Sequence, residues 1–216
     1  MENSSHYFNR TYMNPVRLQA YQDQIDLFLR LSKGEDTTLE VGKGNGYFSH
    51  FVKTYLKQEI VTLDLSPELQ PDFIGDITDP KLELPSSYDL SVCFEVLEHI
   101  PWGKLPVAVS NLRRFTRKWV LISVPDANYF LQVKLNVLWR KLTPLSFTLT
   151  LPRLFNNKHP FGKGHEWEIG IVSNGRRVTS GRVIHEILGA ENLKAHFRGR
   201  HFPGHHFFVL KGDATV

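Results

Sequence analysis

Apolar positions along this chain keep two different periods, and the alternation between them outlines the fold. From Val16 to Leu31 the residues Leu18, Tyr21, Ile25, Phe28 and Leu29 recur at intervals of three and four, which predicts an amphipathic helix over 14–32 ended by the SKGED turn. Thr37 to Val41 is a short apolar run that stops at a glycine cluster, so a strand feeding a tight turn. Phe48, Phe51, Val52 and Tyr55 return to helical spacing, and Glu59 to Leu63 reads as a second strand ending at Asp64. A short strand over 72–74, a third substantial strand from Tyr88 to Phe94, a helix from Leu105 to Phe115 and a strand from Trp119 to Val124 follow. A further helix is predicted near Val178 to Leu188, closed by Gly189. Leu193 to Phe197 and His206 to Leu210 then alternate like an antiparallel pair.

Strands alternating with helices imply right-handed crossovers and a parallel sheet. The predicted class is α/β: a Rossmann-like, seven-stranded, mostly parallel sheet with helices on both faces and an antiparallel C-terminal strand pair. The whole of 1–216 reads as one domain with one insert at about 126–165.

Composition narrows the function. Of 216 residues, 41% are hydrophobic and 22% charged, enough to bury a core and too apolar for a disordered tail. Cys93 is the one cysteine, which excludes a disulfide framework or a cysteine-ligated metal cluster. No apolar run reaches transmembrane length, and MENSSHYFNRTYMNPVR has no apolar signal core. A cytoplasmic setting is therefore expected. The net charge of +4 is modest, but its distribution is not. Residues 126–165 hold six cations (Lys134, Arg140, Lys141, Arg153, Lys158, Lys163) against a single anion, Asp126. The same stretch is rich in aromatic and aliphatic residues, among them Tyr129, Phe130, Leu131, Val133, Trp139, Phe147 and Leu149. It reads as a helical cap or lid beside the reacting centre. It suits an apolar acidic substrate, an anionic membrane surface or phosphates.

The strongest chemical signal is Glu40-Val-Gly42-Lys-Gly44-Asn-Gly46, set between a strand and a helix. Glycines let the backbone turn sharply and approach a ligand without a Cβ in the way. Asp64 follows Gly42 by 22 residues, at the end of the next strand, where a carboxylate can accept both hydroxyl hydrogens of a ribose. The GxGxG spacing directly after a carboxylate suits an amino-acid-bearing nucleoside better than a pyrophosphate coenzyme. A second cluster is Glu95, Glu98 and His99, at offsets that would share one face of a helical turn. His165, in Gly164-His165-Glu166-Trp167-Glu168, can complete it. Carboxylates with imidazoles bind divalent cations; equally, Glu98 and His99 can simply cap the loop after the strand. Cys93 reads as a packed strand residue. Trp102 and Trp167 read as core or lid residues, and His196, His201, His205 and His206 as surface or structural ones.

LEVGKGNGYFS resembles the first motif of the class I S-adenosylmethionine-dependent methyltransferases, VTLDLS their second, GDIT their third and YDLSVCFEVLEHIP their fourth. The resemblance implies a transferase fold and S-adenosyl-L-methionine as cofactor. Glu40, Gly42, Gly44 and Gly46 would wall its methionine part and Asp64 would hold its ribose. Leu65, Asp76 and Ile77 would contact the adenine, and Phe94 and Glu95 would lie near the reacting centre. EVLEH with a later GHEWE is similar both to ubiquinone-pathway O-methyltransferases and to small-RNA 3′-terminal 2′-O-methyltransferases, the latter using such residues as metal ligands. This gives Glu95, Glu98, His99 and His165 as a candidate metal set. Without metal, His99 or His165 is the candidate general base, aided by Glu98. The expected activity is O-methylation of a small or lipid-like molecule. The alternatives are RNA 2′-O-methylation with a divalent metal and a catalytically silent cofactor-binding protein. Peripheral membrane contact is compatible with the basic insert, and the oligomeric state is not legible.

Overall fold

The structure is a computed structural model that describes residues 7–135, 145–153, 164–173 and 175–215; for 135, 145 and 146 it gives the backbone. The strands are β1 (Thr38–Val41), β2 (Ile60–Asp64), β3 (Phe73–Ile74), β4 (Tyr88–Phe94), β5 (Thr116–Pro125), β6 (Tyr129–Leu135), β7 (Leu145–Leu151), β8 (Val172–Ser173), β9 (Arg176–Arg177), β10 (Leu193–Arg198) and β11 (His205–Lys211). The α-helices are α1 (Pro15–Leu31), α2 (Tyr47–Phe51), α3 (Leu105–Arg114) and α4 (Ser180–Val183); α2 and α4 each run on into a wider helical turn, Val52–Leu56 and Ile184–Leu188.

Seven strands form the central sheet in the order β10-β11-β5-β4-β1-β2-β3. β1 pairs in parallel with both β2 and β4, while β11 runs antiparallel to β5 and to β10. This is the predicted Rossmann-like sheet with its antiparallel C-terminal pair. Its central strands are buried on both faces, as parallel strands under helices must be. Neighbouring residues feed opposite layers. Ile122, Phe208 and Leu210 pack with Leu105, Leu112 and Val183 on the α3/α4 side. Leu121, Phe207 and Val209 pack with Leu27, Phe28 and Phe48 on the α1/α2 side. Among the described residues no helix is long and apolar enough to cross a membrane.

Two predicted elements differ. The α1 helix starts at Pro15, capped by the Asn14 side chain accepting from Arg17 N, but it is rotated from the expected stripe. Leu18 and Leu29 stay half exposed, while Ala20, Tyr21, Asp23, Gln24, Leu27 and Phe28 face inward. Polar partners set this rotation. The Asp23 carboxylate accepts the backbone N–H groups of Arg200, His201 and Phe202 at 2.8–3.0 Å, and Gln24 is drawn to a second buried carboxylate described below. The insert expected as a helical cap instead contains an antiparallel hairpin, β6 with β7. Its runs alternate at period two from Tyr129 to Val133 and from Phe147 to Leu151, a strand signal. Trp139, Arg140, Lys141, Lys158 and Lys163 lie outside the described residues.

Candidate active site

Strands β1, β2, β4 and β5 end on the same side of the sheet, the place where open α/β sheets bind ligands. A cavity of about 910 Å³ opens there. One wall of it is the glycine turn. Gly42, Gly44 and Gly46 all have positive φ (83°, 51° and 71°), a region that L residues with a Cβ avoid. A Cβ on Gly42 would also run into the Val96 side chain. Gly42 and Gly44 line the cavity, whereas Gly46 sits behind them at the N-terminus of α2.

Glu40 is buried on β1 and also lines the cavity. Burial pushes its carboxyl up to about 8, and its Oε2 finds no hydrogen-bond partner. An unpartnered buried carboxylate is costly unless a cation meets it. The amino group of a methionine-bearing cofactor would supply that charge, so the residues present fit the cofactor. Asp64 ends β2 at the cavity edge, with Oδ1 accepting from Ser66 N at 2.9 Å. Leu65 and Ile77 line the cavity as well. Asp76 does not: its Oδ1 accepts from the backbone and hydroxyl of Thr78, both at 2.8 Å.

The rest of its lining is assembled from distant segments. Glu95 follows β4 in a left-handed conformation, φ 57°. It lies outside the short helical turn Leu97–His99, so the expected common face of Glu95, Glu98 and His99 does not form. Arg17 instead pairs with Glu95 Oε2, and Gln24 Nε2 donates to Oε1 at 3.0 Å. His205 Nε2 lies 3.7 Å from the same carboxylate. Burial opposes ionisation of Glu95, yet its neighbours His205 and the Arg17 guanidinium hold it below its ordinary value. Glu95 is thus the anchor of α1 over the cavity, and it leaves the candidate metal set.

Glu98, His99 and His165 do converge: each offers a ligand atom within 4.8 Å of the others. The two rings meet edge to face with centroids 4.7 Å apart. His165 Nδ1 donates to Glu168 Oε1 at 2.7 Å, and His99 Nδ1 donates to the Gly164 carbonyl at 3.2 Å. Both bonds make Nε2 the basic nitrogen. Glu98 is buried, its Oε2 finds no hydrogen-bond partner, and its carboxyl is pushed well above the usual range, first by burial and then by the charges of Glu95 and Glu168. A cation there would relieve that burial, so this set also fits a divalent metal. Trp167 holds the segment in place, fully buried with Nε1 donating to the Leu97 carbonyl at 3.0 Å.

Four participants escape the sequence patterns. Arg17 and Gln24 carry no motif, though Gln24 and Asp23 sit as polar residues on the inward stripe of a helix. Glu168 lies inside GHEWE, three residues after His165, the spacing of a side-chain pair. His205 was expected at the surface or as a structural residue, but it is buried and lines the cavity. Nothing in one sequence marks it. His206 is buried too, donating from Nε2 to Asp126 at 2.8 Å. Cys93 is a packed strand residue whose thiol burial pushes up.

A parallel sheet with this strand order, a glycine turn after β1, an acid at the end of β2 and a cavity above them make up a Rossmann-like fold of the nucleoside-binding type. The methyltransferase-domain family model matches residues 13–168. The chain belongs to that family, the S-adenosylmethionine-dependent methyltransferases of class I. It is similar to the ubiquinone biosynthesis O-methyltransferases of Xanthomonas euvesicatoria pv. vesicatoria and Xanthomonas oryzae pv. oryzae. Each is 30% identical over 103 residues, covering 41% of this chain and 40% of the relative. The match therefore spans well under half the length of these curated relatives. In structure it is similar to an S-adenosylmethionine-dependent methyltransferase from Clostridium acetobutylicum (TM-score 0.59, 12% identity, 98% of this chain and 100% of the other). It also resembles the glycopeptide N-methyltransferase MtfA complexed with S-adenosylmethionine (TM-score 0.57, 12% identity, 90% and 94%). These two likenesses establish the fold.

Proposed function

We propose that this protein methylates a hydroxyl oxygen of a small or lipid-like molecule, using S-adenosylmethionine. The observation that carries the reading is the pairing of His165 with Glu168 beside Glu98 and His99, in a cavity that the glycine turn also lines. An amine acceptor reaches its nucleophilic form by losing a proton to water at modest pH. A hydroxyl needs a positioned base or a Lewis acid, and this cluster offers both kinds of group. The O-methyltransferase names of the sequence relatives agree with an oxygen acceptor.

In this reading Glu40 meets the cofactor's amino group, and Gly42 and Gly44 let the backbone close on its methionine part, with Gly46 shaping the turn. Asp64 holds the ribose diol, Leu65 and Ile77 flank the adenine, and Phe94 borders the reacting centre. When bound, the cofactor supplies a sulfonium methyl group that leaves by in-line displacement. His165 Nε2 takes the acceptor's hydroxyl proton, while Glu168 fixes the imidazole's tautomer and steadies the imidazolium. Glu95, with Arg17 and Gln24, holds α1 across the cavity and so limits water. The main contribution of the fold is orientation, because placing reactants together can supply about 7–11 kcal/mol of the barrier. A second reading is favoured by the unpartnered Glu98 oxygen: Glu98, His99 and His165 would hold a divalent cation, whose chemistry is Lewis-acid activation of the hydroxyl.

The test is incubation with methyl-labelled S-adenosylmethionine and a lipid-containing cell extract, with and without a chelator. Label in a methyl ether of a small or lipid-like product is the expected result. Label solely in RNA, in protein or in an amine, or no transfer at all, overturns the reading. Loss of transfer on chelation, restored by added divalent metal, selects the metal reading over the free base.

A further inference from the structure

We propose that the outer face of the β6–β7 hairpin seats on the surface of an anionic lipid membrane. The register pairs Tyr129 with Leu151, Leu131 with Leu149 and Val133 with Phe147. Directly opposed residues of an antiparallel pair project to the same face. Six large apolar side chains therefore form one strip, and every one is exposed, from 45% for Leu149 to 67% for Phe147. The other face is committed to the protein. Phe130 packs edge-on against Phe202 with centroids 6.0 Å apart. Gln132 Nε2 donates to the Arg200 carbonyl at 3.0 Å, and Lys134 Nζ to the His201 carbonyl at 3.2 Å. The hairpin is thus fixed by a largely polar side and presents its apolar side outward, the reverse of the usual arrangement on a protein surface.

Charge selects the occupant. The segment 126–165 contains six cations and one anion, and that anion, Asp126, is buried and consumed by Arg198 and His206. Arg153 stands over the Tyr129 ring at 5.4 Å, so a cation adjoins the end of the apolar strip. Two copies meeting through this face would each bring a segment whose sequence carries that excess of cations. Anionic headgroups complement the charges while their acyl chains receive the apolar strip, the pairing that drives interfacial binding. The inner face rests on Phe202, which lines the cavity. A lipid-dwelling acceptor would reach that cavity from the membrane side. This last consequence rests on the acceptor class proposed above; the membrane seat itself does not.

The experiment is co-sedimentation of the full chain with vesicles of phosphatidylcholine alone or of phosphatidylcholine with phosphatidylglycerol, with neither donor nor acceptor present. Binding to the anionic vesicles should exceed binding to neutral ones about tenfold and fall as salt rises. The double variant Leu131→Gln, Phe147→Gln should lose about tenfold in vesicle binding while keeping its circular dichroism and its affinity for S-adenosylmethionine. Equal binding of variant and wild type, equal binding to both vesicles, or no binding to either overturns the proposal. So does a concentration-dependent dimer in the ultracentrifuge that the double variant abolishes, which would assign the face to a second copy. Since no methyl transfer is measured, a failed vesicle experiment leaves the transferase reading standing, and the converse also holds.

Discussion

In the proposed reading the cavity has a donor wall and an acceptor wall, and the two are built in opposite ways. The donor wall is nearly contiguous: Glu40, Gly42 and Gly44 come from one turn, and Asp64 from the neighbouring strand end, with β1 and β2 paired residue by residue from Thr38 and Ile60 to Val41 and Leu63. The acceptor wall draws Arg17 and Gln24 from α1, Glu95, Glu98 and His99 from the chain after β4, His165 from the far side of the insert and His205 from β11. A wall made of one turn is rigid by backbone geometry. A wall made of separate elements holds through the hydrogen bonds and ion pairs its members share, as the Arg17, Gln24 and His205 contacts to Glu95 illustrate. The donor is constant across such enzymes and the acceptor varies, so chemistry that must change is carried where segments can be exchanged independently.

The sharpest way to break this division is at His165. His165→Ala should lower kcat by about 100-fold or more, the lower range for a lost general base, with the cofactor Kd from calorimetry within about twofold. A parallel loss of cofactor affinity would show that the walls are not separable. On the donor side, Gly42→Val combines a left-handed backbone with a collision at Val96. At about 3 kcal/mol in all, it should weaken cofactor binding by about 100-fold. Asp64→Ala removes charge-assisted hydrogen bonds worth about 1.5–3 kcal/mol, so the Kd should rise about tenfold or more while kcat at saturating donor holds. An unchanged Kd would remove the ribose assignment.

The smallest effect is one of pH. Burial raises the Glu40 carboxyl to about 8, so in the folded protein it is largely protonated at neutrality. Its raised value adds stability that is fully present below the ordinary carboxylate range and is lost as pH rises through about 8. Binding an ammonium group favours the ionised form, so cofactor affinity should rise about fivefold from pH 7 to pH 8 with a proton released on binding. Calorimetry in buffers of different ionisation heat would detect that proton, and Glu40→Gln should abolish both effects. A flat pH profile in the wild type would place the amino group elsewhere.

How far these walls could be read in advance follows from the same contrast. The glycine turn was legible because its requirement is local: positive φ and the absence of a Cβ exclude most other residues, so a particular spelling is forced. Glu98, His99 and His165 are nameable from residue type and a likeness in wording, but helical spacing also groups Glu95 with them. The left-handed backbone at Glu95 breaks that spacing, and its carboxylate turns to Arg17 and Gln24. On α1, hydrophobicity alone chose a face with Leu18 and Leu29. The buried tasks of Asp23 and Gln24 turned the helix, since a satisfied buried carboxylate outweighs the burial of one more leucine. In the insert, composition suggests a lid, while the period-two alternation marks the strands β6 and β7.

By itself the sequence determined the order of the central strands and helices and the positions of the glycine turn and of the acid that ends β2, because short-range sterics and periodic burial act on neighbouring residues. Only the tertiary structure decided which carboxylate keeps company with the histidines, which face of α1 looks inward, that His205 enters the cavity wall, and that six apolar side chains align outside it. Those outcomes depend on charge pairs and strand registers between segments far apart in the chain, and their free energies exist only once the segments have met.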